Sequence, residues 1–446
     1  MKHFLSRILN TALLLTFLFT QLAYGVTSTP PMVVTAETPA SLACVYGLTP
    51  GVAGCPLKGT TATPTTGSGA IAIIDGQDAP SAYNELTQFS SQFHLTTLPP
   101  CSSGLTPCFQ QYYVSQPFDP LNPCVAATNL NNAAMFGISP STDVEPELDI
   151  EWAHAMAPNA SIYMVETQGW VCATDQATTF TSLLHGMQCA AFLLKQNYGG
   201  GVVSYSHSVP EFAGEIAFDA SFQTPGIIYI ASAGDYSKPA NYPAASPYVI
   251  AAGGTEILRD VSGNFLAQTA WQDPNPSCTN DPCSQGCKTG GSGGPSVYEP
   301  RPSFQNNVQR VVGSQRGTPD ISFAAANINV FCCQAQVTDN KCCVGGTGTS
   351  GKPCESLSTT LCPSGFGKWV ATGGTSLASP ALAGIINSAN GGATTTTQEL
   401  SKIYTGSLKN YSNNWTDIIL GNNGFAALKG YDFTTGLGVP RGYGGK

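Results

Sequence analysis

AIAIID, residues 70–75, is a short apolar run that ends at a carboxylate, Asp75. Its apolar side chains do not alternate with polar ones, so a strand built from it must be covered on both faces. ASIYMVE at 160–166, GVVSYS at 201–206 and GIIYIASAG at 226–234 have the same character. Helix-like stretches separate them, among them PELDIEWAHAMA at 146–157 and TTFTSLLHGMQCAAFLLKQ at 178–196. Buried strands alternating with helices predict an α/β fold: a doubly wound, mostly parallel sheet with helices on both faces. In such sheets ligands bind beyond the carboxyl ends of the strands. Asp75, Asp235 and Ser376 all fall at such ends, and no internal repeat interrupts the pattern.

Outside that pattern the chain divides simply. Residues 1–25 carry a basic start (MKHFLSR), an apolar run (ILNTALLLTFLFTQL) and small residues at Ala23 and Gly25. This is the layout of a secretory signal peptide, and the apolar run is too short for a membrane span. Residues 26–69 read as an extended segment and a Thr/Gly/Pro linker, KGTTATPTTGSG at 58–69. Residues 70–446 form the expected main domain. All 16 cysteines follow the signal region, an even number in a chain expected to be exported, so disulfides are expected. The stretches 273–300 and 331–366, rich in Cys, Gly and Pro, read as stapled surface loops. The expected location is secreted and extracellular, or periplasmic if the source is a Gram-negative bacterium.

Charged residues make up only 10% of the chain, 18 basic against 27 acidic. No basic patch is visible, which argues against nucleic-acid binding. A chain that relies on few ionised carboxylate pairs loses little stability when acid protonates them.

ATGGTSLASPALAGIIN at 371–387 sets Ser376 between a glycine-rich turn and a helical run, where a nucleophile can be presented. Its proton acceptor is harder to find. The histidines are His3, His94, His154, His185 and His207, and none lies in an HGTH-like stretch. DVEPELDIEWAHAMAP at 143–158 offers another acceptor. Glu145 and Asp149 are four apart, on one face of a helix that Pro146 can start. Two carboxylates in a poorly solvated place do not both ionise easily, and one can act as a base in acid, where a histidine would be protonated. The pattern E-x-x-x-D is common on solvated helices, so a further carboxylate matters. GDYS at 234–237 puts Asp235 after a buried strand, where a neutral carboxylic acid can donate to a developing oxyanion.

Together EPELDIEWAHAMAP, SAGDYS and GGTSLASP resemble the sedolisin family, the serine-carboxyl peptidases, whose fold is subtilisin-like. PAASPYVIAAGGT at 243–255, GGPSVYEPRPSFQ at 293–305 and RGTPDISFAA at 316–325 fill the intervening scaffold in that family's order. The resemblance covers about residues 70–440. It implies Ser376 as nucleophile, Glu145 as general base, Asp149 as the residue that tunes it, and Asp235 as oxyanion donor beside the Ser376 N–H. It places Asp75 next to Asp149 as a supporting carboxylate and Asn241 at the primary substrate pocket. In NNWTDIILGNNGFAALKGYDFTTGLGVP at 413–440 it implies one Ca²⁺ ion, held by Asp417 and Asp432 and by the carbonyls of Ile418, Leu428 and Gly430. The implied enzyme is an acid-active endopeptidase, monomeric, acting on protein or peptide substrates and free of the membrane once the signal is removed.

The sequence departs from the family in three places. A large prodomain is not visible before AIAIID. SYSHS at 204–208 has His207 where tryptophan is usual. Asn241 stands where a charge is often found. The alternatives are a subtilisin-like serine protease, which shares the serine motif and has AIAIIDGQD as an aspartate motif, and an inactive, binding-only relative.

Overall fold

The computed structural model describes residues 32, 35–127, 133, 135–138, 144–168, 176–278, 287–332, 368–389 and 391–446. The signal region and most of the cysteine-rich stretch 331–366 lie outside them. The central sheet contains β1 (Ala70–Asp75), β2 (Phe109–Val114), β3 (Cys124–Ala126), β4 (Ser161–Glu166), β5 (Gly201–Tyr205), β6 (Ile227–Ser232), β7 (Ile250–Arg259), β8 (Phe265–Ala270) and β9 (Ile321–Ala324). Its order is β8-β7-β6-β5-β1-β4-β2-β3, with β9 also pairing β7. Pairing is parallel throughout except at the edges, where β8 runs against β7 and β3 against β2.

The unbroken apolar runs divide by the two-residue strand period. Ile71 and Ile73 of β1 enter one core, with Ile162 and Met164 of β4. Ala72 and Ile74 enter the other, with Tyr163 and Val165. The first core is closed by α2 (Ala82–Phe93), α3 (Glu145–Met156) and α5 (Thr375–Ala389), the second by α4 (Gln176–Tyr198). Helix α3 is buried on nearly every side and approaches α5 closely at Gly384, where a Cβ would lie 2.7 Å from the Ala153 carbonyl oxygen. This brings the helix carrying Glu145 and Asp149 alongside the helix carrying Ser376.

Two expectations are corrected. The segment expected to be extended contains a helix, α1 (Pro39–Val45). Thr38 caps it: its Oγ1 accepts from the Ser41 N–H at 3.1 Å, and the Ser41 Oγ accepts from the Thr38 N–H at 2.8 Å. Leu42 and Ala43 are fully buried in the first core, and Glu37 pairs with Arg259 of β7 at 2.5 Å, so the segment is built into the domain. The stretch 273–300, expected to be loops, contributes strands at Gln272–Cys278, Cys287–Gly290 and Gly294–Pro300. These are short antiparallel pairs, whose turn-rich composition hides the strand signal. Disulfides join Cys44 to Cys55, Cys101 to Cys108 and Cys124 to Cys189. Among the described residues no helix is long and apolar enough to cross a membrane.

Candidate active site

Ser376 is the second residue of α5, just after Gly373 and Gly374. Its hydroxyl donates to the Ser206 carbonyl at 3.3 Å. Ser206 follows β5, and its own hydroxyl lies within hydrogen-bond distance of two acceptors: Asp149 Oδ1 at 2.8 Å and the Ser376 carbonyl at 3.0 Å. The Ser206 carbonyl also accepts from Ser232 Oγ at 2.8 Å, which fixes it against β6. Asp149 is fully buried. Glu145 opens α3, half-buried, one turn before Asp149.

Asp235 closes the other side. Its Oδ1 accepts from the Thr375 N–H and the Thr375 hydroxyl, each at 2.8 Å. Its Oδ2 turns toward Gly374, where a Cβ would sit 3.1 Å from it in a backbone conformation (φ +138°) that favours glycine. Gly234, at φ +105°, makes the turn into Asp235, and a Cβ there would lie 2.5 Å from Asn241 Nδ2. Asn241 itself is fully buried and donates to the Ala233 carbonyl at 2.9 Å, so its amide braces the turn that presents Asp235.

The structure therefore joins Asp149, Ser376 and Asp235 in one place, through two residues the sequence reading did not assign: Ser206 and Thr375. The available signals were the second serine of SYSHS and the threonine of GGTS.

The histidines are engaged elsewhere. His154 is buried with Nε2 2.8 Å from the Thr96 carbonyl oxygen, and burial pushes its pKa down to about 4. His185 stacks on Phe118, and His94 ends α2. His207 faces Asp75 across 3.9 Å. Asp75 is buried at the end of β1, beside Glu166, and its charge adds to the burial that raises the Tyr205 hydroxyl well above its ordinary range.

A profile of the Subtilase family of peptidases matches residues 125–409. The chain belongs to the subtilase family. Kumamolisin of Bacillus sp. (strain MN-32) is 29% identical to this subtilase over 197 residues, 40% of this chain and 32% of that protein. Sedolisin of Pseudomonas sp. (strain 101) is 30% identical over 207 residues, 46% of this chain and 28% of that protein. The chain thus spans about a third of the length of the curated relatives it matches. A solved structure of Pseudomonas sedolisin, a serine-carboxyl proteinase complexed with two molecules of pseudo-iodotyrostatin, superposes with a TM-score of 0.60. It shares 21% identity and covers 93% of this chain and 96% of that one. This subtilase is sedolisin-like, with the subtilisin fold.

Two further acidic regions lie elsewhere in the chain. Beside β1, Asp78 accepts from the Tyr113 hydroxyl at 3.0 Å, and Glu166 accepts from the Ala79 N–H at 2.8 Å. Burial raises both carboxyls, Asp78 to about 6 and Glu166 well above its ordinary range. At the C-terminal end, Asp417 and Asp432 fold one loop upon themselves. Asp417 Oδ2 accepts from the Gly430 N–H at 3.0 Å and Oδ1 from the Tyr411 hydroxyl at 2.9 Å. Asp432 accepts from the N–H groups of Leu428 at 2.7 Å and of Thr434 and Thr435 at 2.8 Å. Burial raises the Asp432 carboxyl. Among the described residues no group of three His, Cys, Asp or Glu is placed to share a metal ion. The expected site needs only two carboxylates, the rest being carbonyl oxygens. The donor set, two carboxylates with neither thiolate nor imidazole, is the hard-oxygen kind that Ca²⁺ takes.

Proposed function

We propose that this chain is a secreted serine-carboxyl endopeptidase that cleaves protein or peptide substrates in acid. The observation that carries the reading is the link from Asp149 through the Ser206 hydroxyl to Ser376, with Asp235 on the opposite side of the serine. Glu145, one turn from Asp149, is the general base. It takes the Ser376 Oγ proton as that oxygen attacks the scissile carbonyl carbon. The carbonyl π bond opens to an oxyanion, which accepts hydrogen bonds from the neutral Asp235 carboxyl and the Ser376 N–H. The Glu145 proton passes to the leaving amine as the C–N bond breaks, leaving an acyl-enzyme. Water then attacks the ester, giving its proton to Glu145, and the serine leaves with that proton. Asp149 holds and tunes Glu145, and Asp75 supports it from the end of β1. Asn241, expected at the primary pocket, is fully buried and instead braces the turn that presents Asp235. Asp417 and Asp432, with the carbonyls of Ile418, Leu428 and Gly430, would hold one Ca²⁺ ion, which would supply structural cross-linking of that loop. The disulfides fit an oxidising, extracellular compartment.

The test is cleavage of a denatured protein across pH. Activity peaking at about pH 3–5, and lost in both Ser376→Ala and Glu145→Gln, is the expected result.

A second reading rests on the His207–Asp75 contact, a histidine and carboxylate next to Ser206. It makes His207 the base, as in a subtilisin-like protease. A histidine base fails below about pH 6, where the imidazole is charged. Full activity of Glu145→Gln with loss in His207→Phe would favour it over the carboxyl mechanism.

A further inference from the structure

The chain carries three Asn-x-Ser/Thr sequons that no site described above uses: Asn159-Ala160-Ser161, Asn410-Tyr411-Ser412 and Asn414-Trp415-Thr416. In an exported chain this pattern is the acceptor for an N-linked oligosaccharide, a bulky group that only the surface accommodates. The fold treats the three differently. Asn159 is exposed as a residue, yet its amide is tied at both ends: Nδ2 donates to the Thr65 carbonyl at 2.7 Å and Oδ1 accepts from the Thr96 hydroxyl at 3.0 Å. Its Ser161 is fully buried and accepts from the Tyr198 hydroxyl at 2.8 Å. Asn414 is half-buried and packed on glycine backbone: a Cβ on Gly444 would lie 2.5 Å from its Oδ1, and one on Gly445 2.8 Å from its Nδ2. Asn410 differs from both. It and Ser412 are exposed, and among the described residues no hydrogen bond holds its side chain. Asn410 interrupts the helix Thr396–Asn414, with φ −142° and ψ 41°. It follows the buried Ile403 by two helical turns, so a regular helix would carry it toward the core, and the break takes it off that face. Tyr411 then anchors the chain, its hydroxyl within hydrogen-bond distance of the Leu437 carbonyl at 2.7 Å and Asp417 Oδ1 at 2.9 Å.

We infer that Asn410 carries an N-linked oligosaccharide in the secreted protein, and that Asn159 and Asn414 stay bare. The donor is an oligosaccharide on a polyprenyl diphosphate. Its C1–O bond to phosphate breaks as the C1–Nδ2 bond forms, the polyprenyl diphosphate leaves, and Asn410 Nδ2 gives up one proton to solvent. Transfer precedes folding, so the fold decides which sugar can be kept. On Asn410 the sugar displaces nothing. On Asn159 it would compete with the Thr65 carbonyl for the space around Nδ2, and on Asn414 with the backbone of Gly445. Chains modified at those two positions fold poorly and are not exported. This inference rests on the secretion part of the reading above and is independent of the peptidase chemistry.

The experiment expresses the full chain in insect cells, whose secretory route holds both donor and transferase, and takes the protein from the medium. Peptide N-glycosidase in heavy-oxygen water turns each glycosylated asparagine into a labelled aspartate, which peptide mass spectrometry locates. The label is expected at Asn410 and absent at Asn159 and Asn414. Asn410→Gln and Ser412→Ala should each lose the whole oligosaccharide mass, the second with the asparagine still in place, and Ser412→Thr should keep it. A secreted wild-type chain unlabelled at Asn410, or labelled at Asn159 or Asn414, overturns the inference. Oligosaccharide mass that persists in both Asn410→Gln and Ser412→Ala overturns it too. A chain that stays inside the cell with residues 1–25 attached removes the secretion reading, and this inference with it.

Discussion

Two groups of buried carboxyls in this molecule are held in opposite ways. Around Ser376 the acids meet donors. Asp149 receives the Ser206 hydroxyl, and Asp235 receives two bonds from Thr375. Behind the strand that carries Asn241 the acids meet one another. Glu211, Glu215, Asp219 and Glu299 form a cluster, tied to the chain by Ser296, the Phe212 N–H and Tyr242. Burial first, then neighbouring carboxylates, raise Glu215 to about 9 and Glu299 to about 8. Donors fix a carboxyl in space, and this suits a group that must act on one atom. Packing acids together fixes protons instead, and this ties folding to pH.

The largest expected effect lies in the first group. Ser376→Ala should lower hydrolysis by at least about four orders of magnitude, measured on a peptide substrate, while thermal melting stays where it was. A melting change of more than a few degrees would show that the serine is built into the fold like the second group, and the contrast would break.

The second group predicts a stability profile. In the folded chain Glu215 and Glu299 keep their protons up to their raised values, whereas unfolded they lose them near the ordinary 4.5. The stabilisation is complete below about pH 4.5, declines as pH rises, and is gone above about pH 9. Coupling within the cluster limits it to on the order of 1–3 kcal/mol, or roughly 5 °C in melting temperature. Glu215→Gln combined with Glu299→Gln should flatten that slope. A melting temperature that rises from pH 5 to pH 8 in the wild type would contradict the proton-holding role.

Ser206→Ala sharpens the comparison at lower amplitude. It removes one donor to Asp149 and one link to the Ser376 carbonyl. The expected loss is about tenfold in kcat, in keeping with about 0.5–1.5 kcal/mol for a typical hydrogen bond. Unchanged kcat and pH–rate profile with a tenfold higher KM would place Ser206 in substrate binding instead.

The smallest effect is at the C-terminal loop, where Asp417 and Asp432 resemble the first group in being wrapped by N–H donors. If they also hold Ca²⁺, chelation should lower the melting temperature by a few degrees, by loss of the bound-ligand term. Calorimetry with and without chelator reads this directly, and coincident curves would confine the two aspartates to loop bracing.

Much of the fold was legible along the chain because it rests on local signals. AIAIID, ASIYMVE, GVVSYS and GIIYIASAG became strands β1, β4, β5 and β6, and Pro146 stands in the first turn of α3 as read. A strand buried on both faces has no choice but to be apolar throughout, so its composition announces it. Where apolar content is thin the signal fades. The helix Pro39–Val45 rests on a cap and on small buried residues around Leu42, and the strands between Gln272 and Pro300 on pairing with their neighbours.

The candidate site divides along the same line. Ser376, Glu145, Asp149 and Asp235 are candidates by their motifs, because each sits in a stretch whose residue types match a chemical task. Their assembly was not legible there. The Ser206 hydroxyl spans 57 residues to Asp149 and its neighbour contact spans 170 to Ser376, while Thr375 reaches back 140 to Asp235. Sequence spacing carries periodicity within one element, whereas such contacts depend on strand order and on how closely α3 and α5 approach. The chain alone determined which residues are equipped for acid–base work, since side-chain chemistry travels with the residue. Only the tertiary structure decided that Asp149 and Asp235 would flank one serine and that Glu215 and Glu299 would crowd each other, since solvent exclusion and neighbours exist only once the sheet and its helices have packed.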